Sequence, residues 1–566
     1  MRRLLTRALT LGVAAVLVVP VESAQAAVPV AFGPAPYPVR EIVPGTEGVI
    51  VRASASLNRR MLLLLDDRRH GTELWTTDGT RSGTVLLRDI CPGPGGSGGA
   101  KLVVAGSRAY FAADDCAHGQ ELWSTNGTAA GTSLVKDETP GPGSSSPSNL
   151  TSSGGRLYYA ASTPSEGREL HVTTGTAATT SSVDLEPGPT GSDPGSLAGY
   201  KALVGDPDAV VFAATTSATG REPWFSAGSL ASTTSRGDLN PGPPSSDPSN
   251  FAKVGASVVF SATTNLGTEP WSFSGEETAA LVKDINPGPG SSDPREFVAD
   301  PLSHDVVFAA TADGIRDELW GLDRAGSDTD AHLVYAGDPA SGLTPGHLVA
   351  FSDWGIFFSA TSVAHGRELW FTQGNNPSTR LFKDVVPGPG SSSPGVIVPG
   401  SSGFAFDSDI GASYLYRYDG KIRPVPGTTV HDHVLGYLGS TIVMMRSRSS
   451  DPAAGAELWA YTVPRTAVRA APRRSYTLRA AKKRRIQVPV SVSSYITDER
   501  RAQTGRVVLK SGTTVYGQAT LRNGRASIRI TKRLRKGTHR FRVSFGGNVD
   551  GQAAHSAVVK VKVVRG

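Results

Sequence analysis

Along most of the chain, apolar residues come in short runs broken by clusters of Gly, Pro, Ser, Asn and Asp. They do not recur at the three-to-four-residue spacing of an amphipathic helix, so short β-strands joined by tight turns are expected. One strand in each stretch carries an acidic-apolar-aromatic triplet. It reads Glu73-Leu74-Trp75, Glu121-Leu122-Trp123, Glu169-Leu170-His171, Glu222-Pro223-Trp224, Glu269-Pro270-Trp271, Glu318-Leu319-Trp320, Glu368-Leu369-Trp370 and Glu457-Leu458-Trp459, with a weaker copy at Tyr414-Leu415-Tyr416. The period is roughly 48 residues.

The segments between triplets share their turn chemistry. After the triplet comes a turn such as Asp78-Gly79-Thr80 or Asn126-Gly127-Thr128, dipeptides that tolerate positive φ. A strand such as Leu134-Val135-Lys136-Asp137 follows, and then a Pro-Gly-rich connection such as 287–294, which cannot continue a ladder. Two more strands, near Asn149-Leu150-Thr151 and at 156–161, complete four per unit. Four strands in this period are the signature of a propeller blade. The fold class expected is therefore all-β: a closed β-propeller of about nine four-stranded blades, or eight if the Tyr416 unit is collapsed. Pro38 to Gly45 resembles a fourth strand and its exit loop, and the unit of Glu457-Leu458-Trp459 lacks a fourth strand of its own. If the first supplies the second, no sheet edge is left open.

These units resemble the bacterial ELWxxDGT repeat family, which pairs that motif with a Leu-Val-Lys-Asp-Ile strand and a Pro-Gly-Ser-rich loop. The likeness spans roughly 38–461 and departs from the pattern at His171, Pro223, Pro270 and the Tyr416 unit. It implies an exported repeat protein with a propeller-like fold, and brings no catalytic residues.

Export is also expected from the N-terminus. Arg2, Arg3 and Arg7 precede an apolar run that ends in Ala24-Gln25-Ala26, so 1–26 reads as a signal peptide. No later stretch is apolar enough to span a membrane, and the last residues show no wall-sorting motif. A secreted protein is expected, released or held at the cell surface without covalent attachment. The domains are then 1–26 signal peptide, 38–463 propeller, 464–474 basic linker and 475–566 an immunoglobulin-like β-sandwich.

The recurring residues invite chemistry. One large aromatic per unit at a fixed position suits packing between neighbouring sheets better than ligand stacking. The triplet Glu residues, and Asp89, Asp137, Asp184, Asp238, Asp284 and Asp384, raise calcium, with Asp66-Asp67 and Asp114-Asp115 as the places to look. Their spacing matches no known calcium loop, and carboxylates satisfying loop amides explain them equally well, so no cofactor is expected. Cys91 leaves the first unit and Cys116 sits in the middle hairpin of the second; both fall on one rim, which predicts a disulfide. His70, His118 and His365 belong to the repeat, leaving His431-Asp432-His433 as the irregular group.

After Pro464 the composition changes. Alternating strands at 525–530 and 539–545, with others at 486–492, 506–509, 514–521 and 557–564, fit a sandwich of six or seven strands. The segment Gly537-Thr538-His539 with Gly546-Gly547-Asn548 resembles bacterial Ig-like surface modules. From Arg465 onward there are 25 Lys and Arg against three acids. The chain totals of 57 and 50 thus leave 32 bases and 47 acids before it, a balance of −15. Candidate anion-binding residues are Lys482, Lys483, Arg484, Arg485, Lys532, Arg533, Arg535 and Lys536, with Arg529, Arg540 and Arg542 on one face if the two alternating strands pair.

A non-enzymatic binding or scaffold protein is the reading favoured, its propeller loops presenting a ligand surface and its basic domain attaching to an anionic cell-surface polymer. An extracellular glycan or protein is a further partner class. Sequence-specific nucleic-acid binding is not expected, since no recognition helix or aromatic platform accompanies the charge. A monomer is expected. The alternative is an extracellular glycan-acting hydrolase or lyase with its site in the propeller channel, although no His-Glu-x-x-His or Gly-x-Ser-x-Gly pattern occurs.

Overall fold

In the computed structural model the runs and turns resolve into four-stranded antiparallel sheets, nine of them among the described residues between 37 and 462. The structure describes residues 36–43, 47–200, 208–300, 305–323, 331–339, 341–351, 355–400, 403–409, 413–417, 421–425, 428, 432–438, 441–447, 455–462, 465–470, 476–477, 486–496, 499–502, 505–511, 514–522, 525–545, 554–555 and 559–564. The sheets, called blades 1 to 9 in chain order, occupy 50–88, 103–136, 148–183, 195–235, 249–281, 295–335, 346–383, 397–424 and 433–462. Blades 1 to 8 pair their strands in chain order. The degenerate unit is a complete blade 8, with Tyr414 opposite Phe406 and Tyr416 opposite Phe404. Gly79 and Gly127 adopt the positive φ the Asp-Gly and Asn-Gly turns demand, +86° and +88°.

Blade 9 takes its fourth strand from the other end of the chain. Tyr37–Arg40 pairs antiparallel with Ala456–Thr462, Tyr37 facing Ala460 and Pro38 facing Trp459.

Hydrophobic clusters lie between successive blades. Trp123 packs on Leu62, Leu64 and Leu74 of blade 1, Trp320 on Val254, Val259 and Ile285 of blade 5, and Trp370 on Val307, Leu319 and Val334 of blade 6. These indoles are buried, so they serve as packing. Trp75 of blade 1 packs in the same way on Val443, Met445 and Leu458 of blade 9.

The triplet glutamates are sealed inside. Glu73, Glu121, Glu169, Glu222, Glu269 and Glu368 are each 0% exposed. Each carboxylate accepts hydrogen bonds from the loop that leaves its blade. Glu269 takes the amides of Ile285 (2.8 Å) and Ser292 (2.9 Å) and the Ser292 hydroxyl (2.7 Å). The serine's own carbonyl then accepts from the next blade, as in Thr311 N to Ser292 O at 2.9 Å and Thr263 N to Ser246 O at 2.7 Å. In blade 9 the donors come from the N-terminal segment, Ile42 N and Val43 N, both 3.1 Å from Glu457. Blade 6 is the exception: Leu343 stands in the serine's place, and Glu318, partly buried, accepts from Trp320 Nε1 at 3.1 Å instead.

The residues after 464 form two sheets around one core that contains Val488, Ile528, Leu509, Phe541 and Val561. Two sequence expectations need correction. Arg465–Ala470, read as linker, is a strand that pairs with Gln487–Ile496; its arginines disguised a segment whose backbone completes a ladder. Arg525–Arg529 pairs with that same strand and not with Gly537–Phe545, so Arg529 lies in the other sheet from Arg540 and Arg542.

Deleting residues 37–43 removes a strand and the Ile42 and Val43 donors to Glu457, and should lower the melting temperature by several degrees in a thermal unfolding experiment. Glu269→Gln replaces an acceptor by a donor facing Ser292 and should cost about 1–3 kcal/mol. Burial raises the Glu269 pKa above its usual value despite the hydrogen bonds. The folded state therefore holds its proton to higher pH than the unfolded chain, and stability from this group grows as pH falls through that window towards the ordinary 4.5. The deficit of Glu269→Gln relative to wild type, measured by denaturant unfolding, should be larger at pH 5 than at pH 7.

Candidate functional site

Cys91 and Cys116 are joined as a disulfide, their Cα atoms 5.5 Å apart, and tie the exit loop of blade 1 to the middle hairpin of blade 2. The acids of these hairpins are committed locally. Asp67 accepts from Arg69 N (3.1 Å) and His70 N (2.7 Å), and its other oxygen lies 2.7 Å from His70 Nδ1. Asp115 repeats this with Ala117, His118 N and His118 Nδ1 at 2.9 Å. Asp66 and Asp114 accept from Arg68 N and Cys116 N, both within 2.8 Å. Among the exit-loop aspartates, Asp238 and Asp284 accept from Gly242 N (2.9 Å) and Gly288 N (3.2 Å). No group of three or more His, Cys, Asp or Glu able to hold a metal occurs among the described residues.

The irregular histidine group is structural where it is described; His431 lies outside the described residues. Asp407 accepts from Val434 N at 3.0 Å and approaches His433 Nδ1 at 3.5 Å, holding the imidazole pKa above its usual value. Asp432 is 3.6 Å from Arg446, whose guanidinium covers Trp459.

The break in the repeat at His171, noted in the sequence, has a partner in Glu138 that was missed. His171 takes a tryptophan slot in blade 3, buried, with Nδ1 3.3 Å from Glu138 Oε1 and its ring beside Tyr159. Glu138 replaces the apolar residue that is Ile90, Ile285 or Val385 in other exit strands, and it pairs with Lys136 at 2.6 Å. The His171 and Lys136 contacts hold its carboxyl below the usual range against the opposing effect of burial. The signal was two deviations one unit apart: an acid in place of an aliphatic residue, then His in place of Trp.

Blades 1 to 3 also carry a cavity of about 490 Å³ on the rim where exit loops cross. Its wall includes Gly98, Gly99, Arg52, Lys101, Gln120 and Asn149.

The densest charge lies on the C-terminal domain. In the sheet of Val559–Val564, Gly537–Phe545 and Gly505–Ser511, alternate residues such as Val561, Phe541, Val543 and Leu509 enter the core. The residues between them, Lys560, Lys562, Arg540, Arg542, Arg506 and Lys510, are exposed on one outer face. Arg540 stands directly opposite Lys560, and Lys510 opposite Arg542. No acid shares this face among the described residues. Of the other expected cations, Lys532, Arg533, Arg535 and Lys536 are exposed on the loop that feeds this sheet, anchored by buried Leu534. Arg529 faces outward from the opposite sheet, and Lys482, Lys483, Arg484 and Arg485 lie outside the described residues.

No family model matches the chain, and no curated protein does. Among solved structures it is similar to the computationally designed protein Ika8, at 11% identity over 75% of this chain and 99% of that one, with a TM-score of 0.34. It is also similar to the β-propeller domain of the Trilobed protease from Pyrococcus furiosus, at 7% identity over 59% and 98% of the two chains, TM-score 0.30. A prolyl endopeptidase matches at 11% identity and TM-score 0.37 over 81% of this chain, which spans 56% of that enzyme. These likenesses carry nothing about substrate or activity.

Thiol titration of the denatured, unreduced protein should find no free cysteine. With a sequence separation of 25 between the partners, reduction should remove about 3 kcal/mol of stability, read as a lower unfolding midpoint.

Proposed function

We propose that the chain is an exported, non-enzymatic binding protein of the ELWxxDGT type: a closed nine-bladed propeller whose loop rim presents a ligand surface, followed by an Ig-like domain that attaches to an anionic cell-surface polymer. Ring closure is supported by the packing of Trp75 on blade 9, by the shared strand Tyr37–Arg40, and by Ser54 Oγ donating to Leu435 O at 3.3 Å between the first strands of blades 1 and 9. Export rests on the charged, apolar and small-residue pattern of residues 1–26. Among the described residues no helix is long and apolar enough to cross a membrane.

The observation that carries the binding reading is the outer face with six cations and two like-charged pairs directly opposed. Such pairs oppose sheet formation by roughly 0.2–1 kcal/mol each, a cost that a bound polyanion removes. The recurring acids have structural employment as loop acceptors, and the Glu138–His171 pair is sealed between blades, out of reach of a polysaccharide. The glycan-hydrolase alternative therefore gains no support from them.

On immobilised heparin, used as a polyanion probe, the full chain should be retained and elute at a characteristic salt concentration. Arg540→Ser/Arg542→Ser/Lys560→Ser should elute at clearly lower salt with an unchanged melting temperature. Equal retention would remove the attachment reading, and turnover of a polysaccharide by the wild type would remove the non-enzymatic one.

A further inference from the structure

The cavity on the rim of blades 1 to 3 is bordered by two positions of the repeat, Thr72 and Gln120, that carry shorter side chains than the arginine found there in three other blades. At the residue before the triplet glutamate, blades 3, 4 and 7 carry Arg168, Arg221 and Arg367. These guanidinium groups lie across the start of the neighbouring inner strand and exit loop: Arg168 bonds Ser148 Oγ and Ser146 O, Arg221 bonds Asp193 O at 2.7 Å, and Arg367 bonds Ser359 Oγ at 2.7 Å and Thr344 O at 2.9 Å. Blades 1 and 2 have Thr72 and Gln120 at the same register, opposite Asp66 and Asp114. The shorter side chains leave the space open. The adjoining exit loop, Gly95-Gly96-Ser97-Gly98-Gly99, keeps the floor low where other loops have Ser, Asp and Pro. Gly99 is at φ +87°, and a Cβ there would meet Ala112 O at 2.7 Å.

What lines the opening is cationic and amide-rich. Arg52 gives Nε to Thr72 Oγ1 at 2.9 Å, which leaves its terminal nitrogens to other partners. Lys101 and the Gln120 side chain make no hydrogen bond or ion pair among the described residues, and no acid lines the cavity. The disulfide braces both walls, since Cys91 precedes the glycine run by four residues and Cys116 precedes Gln120 by four.

We propose that this cavity binds a sugar-sized, polyhydroxylated anion, its carboxylate or phosphate held by Arg52 and Lys101 and its hydroxyls by Gln120 and Asn149. A volume of about 490 Å³ falls within the range of small-molecule sites. The inference rests on the reading of the propeller rim as a ligand surface, and is independent of the basic C-terminal face.

The test is titration of the full chain with glucuronate, glucose 6-phosphate and glucose, followed by saturation-transfer NMR and calorimetry. At least one of the two anions should bind and glucose should not; which anion binds assigns the group. Gln120→Arg installs the side chain that three other blades already accommodate, so it should fold normally and weaken binding at least tenfold. Lys101→Ala should weaken it to a similar degree. Heparin retention should be unchanged in both variants, so loss of the attachment reading and loss of this one are separately visible. Binding of neither anion, or equal binding by Gln120→Arg, would overturn the proposal.

Discussion

The fold depends on a buried carboxylate. Taking an ionisable group out of water costs several kcal/mol unless its lone pairs find donors, and here six of the eight triplet glutamates find them in the loop that leaves their own blade, while Glu457 finds them in the N-terminal segment and Glu318 in Trp320 Nε1. Glu73 accepts from Ile90 N, Cys91 N, Ser97 N and Ser97 Oγ, all within 3.1 Å. A Pro-Gly-Ser loop has no ladder to satisfy its amides, and the glutamate supplies the acceptors it lacks. The same serine donates to the glutamate and accepts from the next blade, so one side chain fixes the loop and the loop fixes the neighbouring sheet.

That arrangement explains why the N-terminal segment must reach blade 9. The eighth triplet glutamate, Glu457, is buried, and its blade would offer it no such exit loop if the sheet ended at Thr462. Ile42 and Val43 provide the donors while Tyr37–Arg40 provides the strand. Hydrogen bonding and apolar packing act on the same seam, since Val39 and Val43 belong to the cluster that holds Trp75 and Leu458.

Much of this was legible from the sequence. The triplet, the Asp-Gly turns and the Pro-Gly connections marked four strands per unit because strand alternation and turn chemistry are local properties. The roles of the glutamates were left between calcium and loop amides; the serine 23 or 24 residues downstream, Ser97 for Glu73 and Ser292 for Glu269, was the discriminating signal. Strand partners in the C-terminal domain were not legible. Which of two alternating strands pairs with 525–529 depends on the sandwich as a whole, and arginine-rich 465–470 carries no apolar alternation strong enough to announce itself as a strand. Coupled substitutions such as Glu138 with His171 become visible only when neighbouring blades are set side by side.

A repeat solves its packing problem in the same way in every unit, so its recurring residues are the least informative about what it recognises. Glu, Trp and Asp-Gly recur because blades must stack and turns must close. Several departures cluster instead: the glycine run, the cysteine pair, Thr72 and Gln120, and His171 with Glu138 fall in blades 1 to 3, while Pro223, Pro270, Leu343 and the Tyr416 unit lie elsewhere. Blades 4 and 7 keep the arginine and the ordinary loop. The disulfide joins blades 1 and 2, which a hydrophobic cluster already holds together. Its placement between two blades that carry Thr72 and Gln120 in place of the arginine of blades 3, 4 and 7 fits a local task, bracing the walls of the rim cavity.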